Sequence, residues 1–272
     1  MAKLNPREVA QAAALRGEID EAVAQLSALQ ESDTAAHAAL AEISAFRGRW
    51  QDVLQHVSAV LVEPLSVDTF NVYGDMVRLA ALVGVELGDW AEIERIANEA
   101  LAVLQDVELP PSHIGAVTGL VRFAQAEGKV DSGWRPGGMD DRSEAERIAK
   151  YESSIEKIEK RKKQFESPHE RFNHYVAIAR NCRHYGAAVL LYEEHGLPDL
   201  FSSIIFVASA LARAGRPDEA WEVIRSGIGR WWPVEDVQIA PMVLLSDEAL
   251  RPLMTSSRCE EVLRAPRGPG VD

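Results

Sequence analysis

A glycine turn followed by an acidic restart recurs four times along this chain. The turns are centred on Gly17, Gly48, Gly88 and Gly215, and Asp or Glu follows each glycine within four residues. Helices commonly end at a residue in the left-handed conformation, which glycine adopts without steric cost. Acidic residues in the first turn of the next helix complement its dipole. Each copy therefore predicts a helical hairpin.

The four copies occupy residues 14–22, 46–53, 87–93 and 214–220, and three of them carry an aromatic residue or a proline just after the glycine. This pattern resembles the tetratricopeptide repeat family, whose period is about 34 residues. Val53 and Ile93 stand where the family has its second-helix alanine, and the family's tryptophan and glycine–tyrosine pair are missing from every copy. The resemblance covers residues 5–104 and 198–232.

The resemblance implies an all-α fold in which hairpins stack as an α-solenoid and the first helix of each hairpin faces a shared groove. We expect the groove to bind an extended peptide or a protein loop through hydrogen bonds and charge. The alternative is that some of these polar residues only solvate helix faces. The groove-lining, partner-binding positions map onto Arg7, Gln11, Glu42, Asp75, Arg78, Glu86, Ser202, Ser209 and Arg213.

Four segments are expected along the chain. Residues 1–110 form the first hairpins, residues 111–166 a helix, an irregular loop and a charged helix, and residues 167–232 the later hairpins. Residues 233–272 form a non-repeat cap and tail, because the last unit of a repeat array would otherwise expose its apolar face. Whether the groove is open or filled by the charged helix of residues 143–165 is left open at this stage.

Local signals refine these segments. Asn5 and Glu8 form a predicted capping box that opens the first helix. Residues 131–141 are rich in glycine and acidic residues and predict an irregular loop. A helix that starts after Ser167 is expected to end near Tyr185 and Gly186. Residues 237–245 predict a short extended or buried segment, and a final helix is expected to start near Thr255. The adjacent Trp231 and Trp232 either pack at the end of the last hairpin or grip a ligand.

The charge argues against nucleic acid as a partner. The net charge of −13 lies mostly in the first 110 residues, whereas binding to phosphate backbones needs clustered Lys and Arg. We expect the partner to be a protein with a basic surface. The alternative explanation of the negative charge is that acidic surfaces keep a protein soluble. No apolar stretch predicts a membrane span, and we expect a cytoplasmic protein. Its two cysteines are expected to be free thiols.

Catalytic signals are weak, and no catalytic residue, metal or cofactor is expected. His169 and His174 are five residues apart, which places them on different sides of a regular helix. Nucleophile-elbow and phosphate-loop motifs are absent. An enzyme remains an alternative, and its active site would lie within residues 169–195. That segment concentrates four possible ligand residues: His174, Cys182, His184 and His195.

The sequence therefore predicts a non-catalytic protein that acts stoichiometrically by binding another protein. One form of this hypothesis is a dedicated inhibitor, such as an immunity protein that neutralises a cognate toxin by occlusion. A general adaptor or regulatory scaffold is the second form. The enzyme alternative belongs to a different class and makes the histidine-rich segment its centre.

Overall fold

The computed structural model describes residues 5–63, 70–105, 111–129, 142–160, 165–235 and 237–268. Within these ranges all regular secondary structure is helical, as the sequence predicts, and no strand is found there. The irregular loop predicted for residues 131–141 lies outside the described residues. The helices are α1 (Pro6–Leu15), α2 (Ile19–Leu29), α3 (Thr34–Phe46), α4 (Trp50–Val62), α5 (Phe70–Leu87), α6 (Trp90–Gln105), α7 (Pro111–Gln125), α8 (Glu144–Lys160), α9 (Pro168–Cys182), α10 (Tyr185–His195), α11 (Phe201–Arg213), α12 (Pro217–Gly227), α13 (Val243–Ser246) and α14 (Ser256–Arg264).

The four signature glycines lie at helix–helix turns. Gly17, Gly48, Gly88 and Gly215 have φ angles of 83°, 67°, 71° and 77°, which only glycine adopts readily. Helices α1 and α2 pack together across the first turn, α3 and α4 across the second, and α11 and α12 across the fourth. Helix α6 packs more extensively on α7 than on α5.

The boundary between α9 and α10 differs from the expectation. Helix α9 ends at Cys182, and Arg183 takes the left-handed conformation with a φ of 52°. The Arg183 N–H donates to the carbonyls of Ala179 and Arg180, so the helix ends in hydrogen-bonded form without a glycine. Gly186 lies inside α10 instead. The expectation that α9 ends at a glycine therefore placed the end of this helix too late in the sequence.

Side-chain caps begin several helices where the sequence indicates them. Asn5 and Glu8 form the capping box of α1. Ser143 and Glu146 make the reciprocal contacts before α8, since the Ser143 N–H donates to Glu146 and the Glu146 N–H donates to Ser143 Oγ. Thr255 caps α14. These contacts satisfy amide donors that the first turn of a helix leaves without partners.

The chain forms two compact units, and both are discontinuous in sequence. The first unit comprises Met1–Met139, Trp232–Ser246 and Met254–Arg267, and the second comprises Asp140–Trp231, Asp247–Leu253 and Gly268–Asp272. The cores of both consist of apolar residues from facing helices, such as Phe46, Tyr73 and Met76 in the first unit. The segment expected to act as a cap therefore contributes residues to both units.

Helix α14 belongs to the first unit and approaches its first turn closely. A side chain at Gly17 would collide with the backbone carbonyl of Arg264. Beyond α14, the Arg267 N–H donates to the Leu15 carbonyl at 2.8 Å, and the Arg267 guanidinium donates to the Ala14 carbonyl at 3.0 Å. The carboxyl-terminal part of the unit is thus fixed to the end of α1.

Candidate functional site

Three helices of the first unit, α1, α3 and α5, hold one irregular segment of the same chain. We call this segment, residues 234–242, the strap; its Asp236 is outside the described residues. Gln11 on α1, Glu42 on α3 and Asp75 on α5 all contact the strap. The strap also buries apolar side chains, and both Val237 and Ile239 are almost fully removed from solvent. The face predicted to bind a partner is occupied by the chain itself.

Glu42 accepts two successive amides of the strap. Its Oε2 atom lies 2.7 Å from the Ile239 nitrogen and 3.0 Å from the Ala240 nitrogen. The residue is only 2% exposed. Burial, together with the nearby Asp75 charge, raises the pKa of Glu42 from 4.5 to about 8, although the two amides and the Arg267 charge act in the opposite direction.

Asp75 holds the strap through a side chain. Its Oδ2 atom accepts a hydrogen bond from Gln238 Nε2 at 3.1 Å, and its Oδ1 atom pairs with Arg78 at 2.7 Å. Burial raises the pKa of Asp75, while Arg78 and Gln238 lower it. Arg78 is therefore at this site as the counter-charge of a mostly buried carboxyl group.

Gln11 recognises carbonyl groups of the strap. Its Nε2 atom donates to the Glu235 carbonyl at 2.7 Å and to the Gln238 carbonyl at 3.0 Å. The Gln238 side chain in turn accepts from the amides of Val234 and Glu235. This local turn presents the two carbonyls to Gln11.

Two other predicted positions of the first unit lie apart from these strap contacts. Arg7 forms an ion pair with Asp33, with 3.1 Å between Nε and Oδ2. Glu86 is exposed near the end of α5. A carboxylate in that position is accessible to a partner, whereas Glu42 is not.

The predicted positions of the second unit make their own contacts. Ser209 is 1% exposed and donates to Asp247 Oδ2 at 2.9 Å. Arg213 lies 3.9 Å from Asp247 Oδ1, and its guanidinium stacks over the Tyr185 ring. Ser202 accepts a hydrogen bond from Arg180.

The histidines of residues 169–195 do not meet at one point, although the rings of His169 and His195 both pack against Phe172. The rings of His174, His184 and His195 each pack against a different aromatic residue, namely Phe165, Tyr151 and Phe172. His169 pairs with Asp199 at 2.9 Å. Across the described ranges, no group of three or more His, Cys, Asp or Glu residues could hold a metal ion.

Sequence reasoning missed two residues of the strap site. Gln238 links the strap to Asp75, and Arg267, only 3% exposed, contributes positive charge near Glu42. Neither belongs to a repeat copy. The apolar alternation of Val237 and Ile239 was the one available signal, since it indicates burial of this segment without naming the surface that covers it.

Two broader findings complete the description of the site. None of the helices in the described ranges has the length and apolar character needed to cross a membrane. Comparison with known protein families, with curated proteins and with solved structures finds no match to this chain.

Proposed function

We propose that this chain is a non-catalytic, tetratricopeptide-like module that binds an extended segment of another protein on the face formed by α1, α3 and α5. The observation that carries the proposal is the strap, an irregular segment held by Gln11, Glu42 and Asp75. These are positions that line the groove in the family that the sequence resembles. The strap is, in chemical terms, a peptide bound in cis.

The kind of contact supports this proposal. Gln11 and Glu42 make four hydrogen bonds to main-chain groups of the strap, and Asp75 adds one to a side chain. Because every peptide has the same main-chain groups, these donors and acceptors can hold a different chain. Selectivity then comes from the places where the Val237 and Ile239 side chains are buried. It also comes from Asp75, which accepts a hydrogen bond from a side-chain amide.

The charge of the chain suggests the type of partner. Most of the net negative charge lies in the first 110 residues, and exposed carboxylates such as Glu86 remain available on that part of the chain. A basic partner would be attracted by this field and would associate faster. A dedicated inhibitor, for example an immunity protein that occludes a toxin, and a general adaptor both fit this chemistry.

A peptide competing with the strap tests the proposal. Fluorescence anisotropy of a labelled peptide with the sequence of residues 233–242 would be measured against the full chain and its Gln238→Ala variant. Loss of the bond to Asp75 weakens the strap in cis, so we expect the variant to bind the peptide roughly tenfold more tightly than the wild type. Gln51→Ala, at an exposed position on α4, is the matched control and should behave like the wild type.

Two outcomes decide the matter. The proposal is supported if the labelled peptide binds and if its affinity falls when alanine replaces the glutamine that corresponds to Gln238. Absence of binding to both chains would make the strap a permanent part of the core and would overturn the proposal. If the peptide binds, the Gln238→Ala chain is then the bait for finding the natural partner in a lysate of the source cells.

A further inference from the structure

A polar cavity lies on another surface of the first unit, between α2, α3 and α4. Its volume is about 150 Å³, which exceeds the roughly 30 Å³ that one water molecule occupies in the liquid. None of the strap contacts involves it. Its polar lining includes Ser27, Ser44, Arg47, Arg49, Asp52 and His56.

Ser44 is the most informative of these side chains. It is 8% exposed and lines the cavity, and among the described residues its hydroxyl has no hydrogen-bond partner within the protein. The hydroxyl is not one of the fully buried polar atoms that lack a partner in the described part of the chain, so it reaches the space of the cavity. A ligand or water there can form a hydrogen bond with it.

Arg49 provides a positive charge at the same cavity. It is exposed, and within the described ranges its guanidinium makes no hydrogen bond or ion pair. Arg47 differs, because it pairs with Asp20 at 2.8 Å and lies 3.6 Å from Glu260. Arg49 also occupies the amino-terminal cap of α4, where no side chain bonds the first-turn amides. The local dipole therefore adds to its attraction for an anion.

His56 is oriented by a chain of hydrogen bonds. His37 Nε2 lies 3.1 Å from the Gln30 carbonyl, and the Nδ1 atoms of His37 and His56 are 2.9 Å apart. Since a carbonyl only accepts, His37 carries its proton on Nε2, and its Nδ1 accepts from His56 Nδ1. Burial first, and then His37, lower the pKa of His56, against the effect of Asp52. With a lowered pKa, His56 contributes less positive charge to the cavity than an ordinary histidine does.

We propose that this cavity is a binding site for a small oxyanion, of the phosphate or carboxylate kind, held by Arg49 and the Ser44 hydroxyl. Arg49 supplies the charge-assisted hydrogen bonds that such groups prefer, and the hydroxyl donates from the buried side. Asp52 opposes the ligand with its own negative charge. The inference is independent of the peptide-binding face, so either proposal can fail without the other.

Titration calorimetry on the full chain tests the site. The probes are inorganic phosphate and acetate at pH 7, with chloride added to keep the ionic strength constant. We expect Arg49→Ala to weaken binding about tenfold and Asp52→Asn to strengthen it about threefold. Arg225→Ala, which removes an exposed arginine of the second unit, is the control for unspecific charge effects.

The two probes distinguish the chemistry. Opposite effects of Arg49→Ala and Asp52→Asn on phosphate binding support a phosphate site, and the same pattern with acetate supports a carboxylate site. Failure of both probes to bind at tens of millimolar would overturn the proposal. So would equal losses in Arg49→Ala and Arg225→Ala, since they would show only a general response to net charge.

Discussion

The two units fix a carboxyl-terminal segment to a helix in opposite ways. In the first unit the carboxylate lies on the helix, where Glu42 accepts amides from the strap. In the second unit the carboxylate lies on the segment, where Asp247 accepts from Ser209 of α11 and from the amides of Ala249 and Leu250. Glu42 is almost fully buried, whereas the Asp247 side chain keeps 21% of its exposure and lies near Arg213.

This difference shows where a carboxylate is costly. Asp247 retains contact with water and has the Arg213 guanidinium close by. Glu42 has two amides and a more distant Arg267, and the neighbouring Asp75 repels it. The first unit therefore carries a buried carboxyl group that resists ionisation where it holds the strap, and the second unit carries a partly exposed structural contact. Five variants test this contrast.

The largest effect is expected from removal of the Glu42 carboxyl group. Glu42→Ala leaves the amides of Ile239 and Ala240 without a partner and creates a cavity. At pH 5 we expect a loss of about 3–4 kcal/mol in the free energy of unfolding, measured by urea denaturation. A loss below about 1 kcal/mol, similar to a surface substitution, would show that the strap does not depend on Glu42.

A pH-dependent gain is expected from Glu42→Gln, which keeps an acceptor and removes the charge. The pKa of Glu42 in the folded protein, about 8, is above the ordinary glutamate value of 4.5. The native state therefore holds the proton more tightly, and its stability falls as the pH rises from about 4.5 through 8. The variant should be more stable than the wild type at pH 8 by roughly 2 kcal/mol, because relaxation moderates the full linkage.

Thermal or urea unfolding of both chains at pH 5 and at pH 8 measures this gain. At pH 5 the wild type is protonated at Glu42, so the two chains should differ little. An equal difference at both pH values would contradict the assignment of the pH dependence to this carboxyl group.

A smaller loss is expected from Ser209→Ala in the second unit. It removes a hydrogen bond to Asp247, while water and Arg213 still reach that carboxylate. We expect a loss of about 1 kcal/mol in the free energy of unfolding, well below that of Glu42→Ala. A loss equal to that of Glu42→Ala would remove the contrast between the two units.

The smallest effect is expected from His174→Ala and His184→Ala. Both residues belong to the second unit, and neither is among the strap contacts. Binding of the strap-sequence peptide to a Gln238→Ala chain should stay within about twofold of its value without these changes. Loss of a biological effect in these variants, with peptide binding unchanged, would favour the enzyme alternative centred on residues 169–195.

Short-range features of this fold could be predicted from the sequence. The turn glycines and the capping box of Asn5 and Glu8 depend on residues only a few positions apart. The turn at Arg183 could not be located in that way, because a non-glycine residue takes the left-handed conformation there.

The site required long-range information. The family pattern selects Gln11, Glu42 and Asp75, but it does not say what covers them. Glu42 and Ile239 are 197 residues apart in the sequence, and no local spacing relates them. The same holds for Gln238 and Arg267, whose importance depends entirely on the helices that they meet. The sequence left open whether Gln11, Glu42 and Asp75 face open space or the charged helix of residues 143–165, and in the structure they contact the strap.

The discontinuity of the first unit has a consequence for synthesis of the chain. Helices α1 to α5 leave the ribosome long before the strap and α14 exist. Until then the Glu42 carboxyl group and the apolar surface around it face solvent or whatever protein meets the nascent chain. Final closure joins the first helix to Arg267 across a sequence separation of 253 residues, and contacts of such high separation slow folding. During that interval, the nascent protein presents the open form of the face that the finished protein conceals.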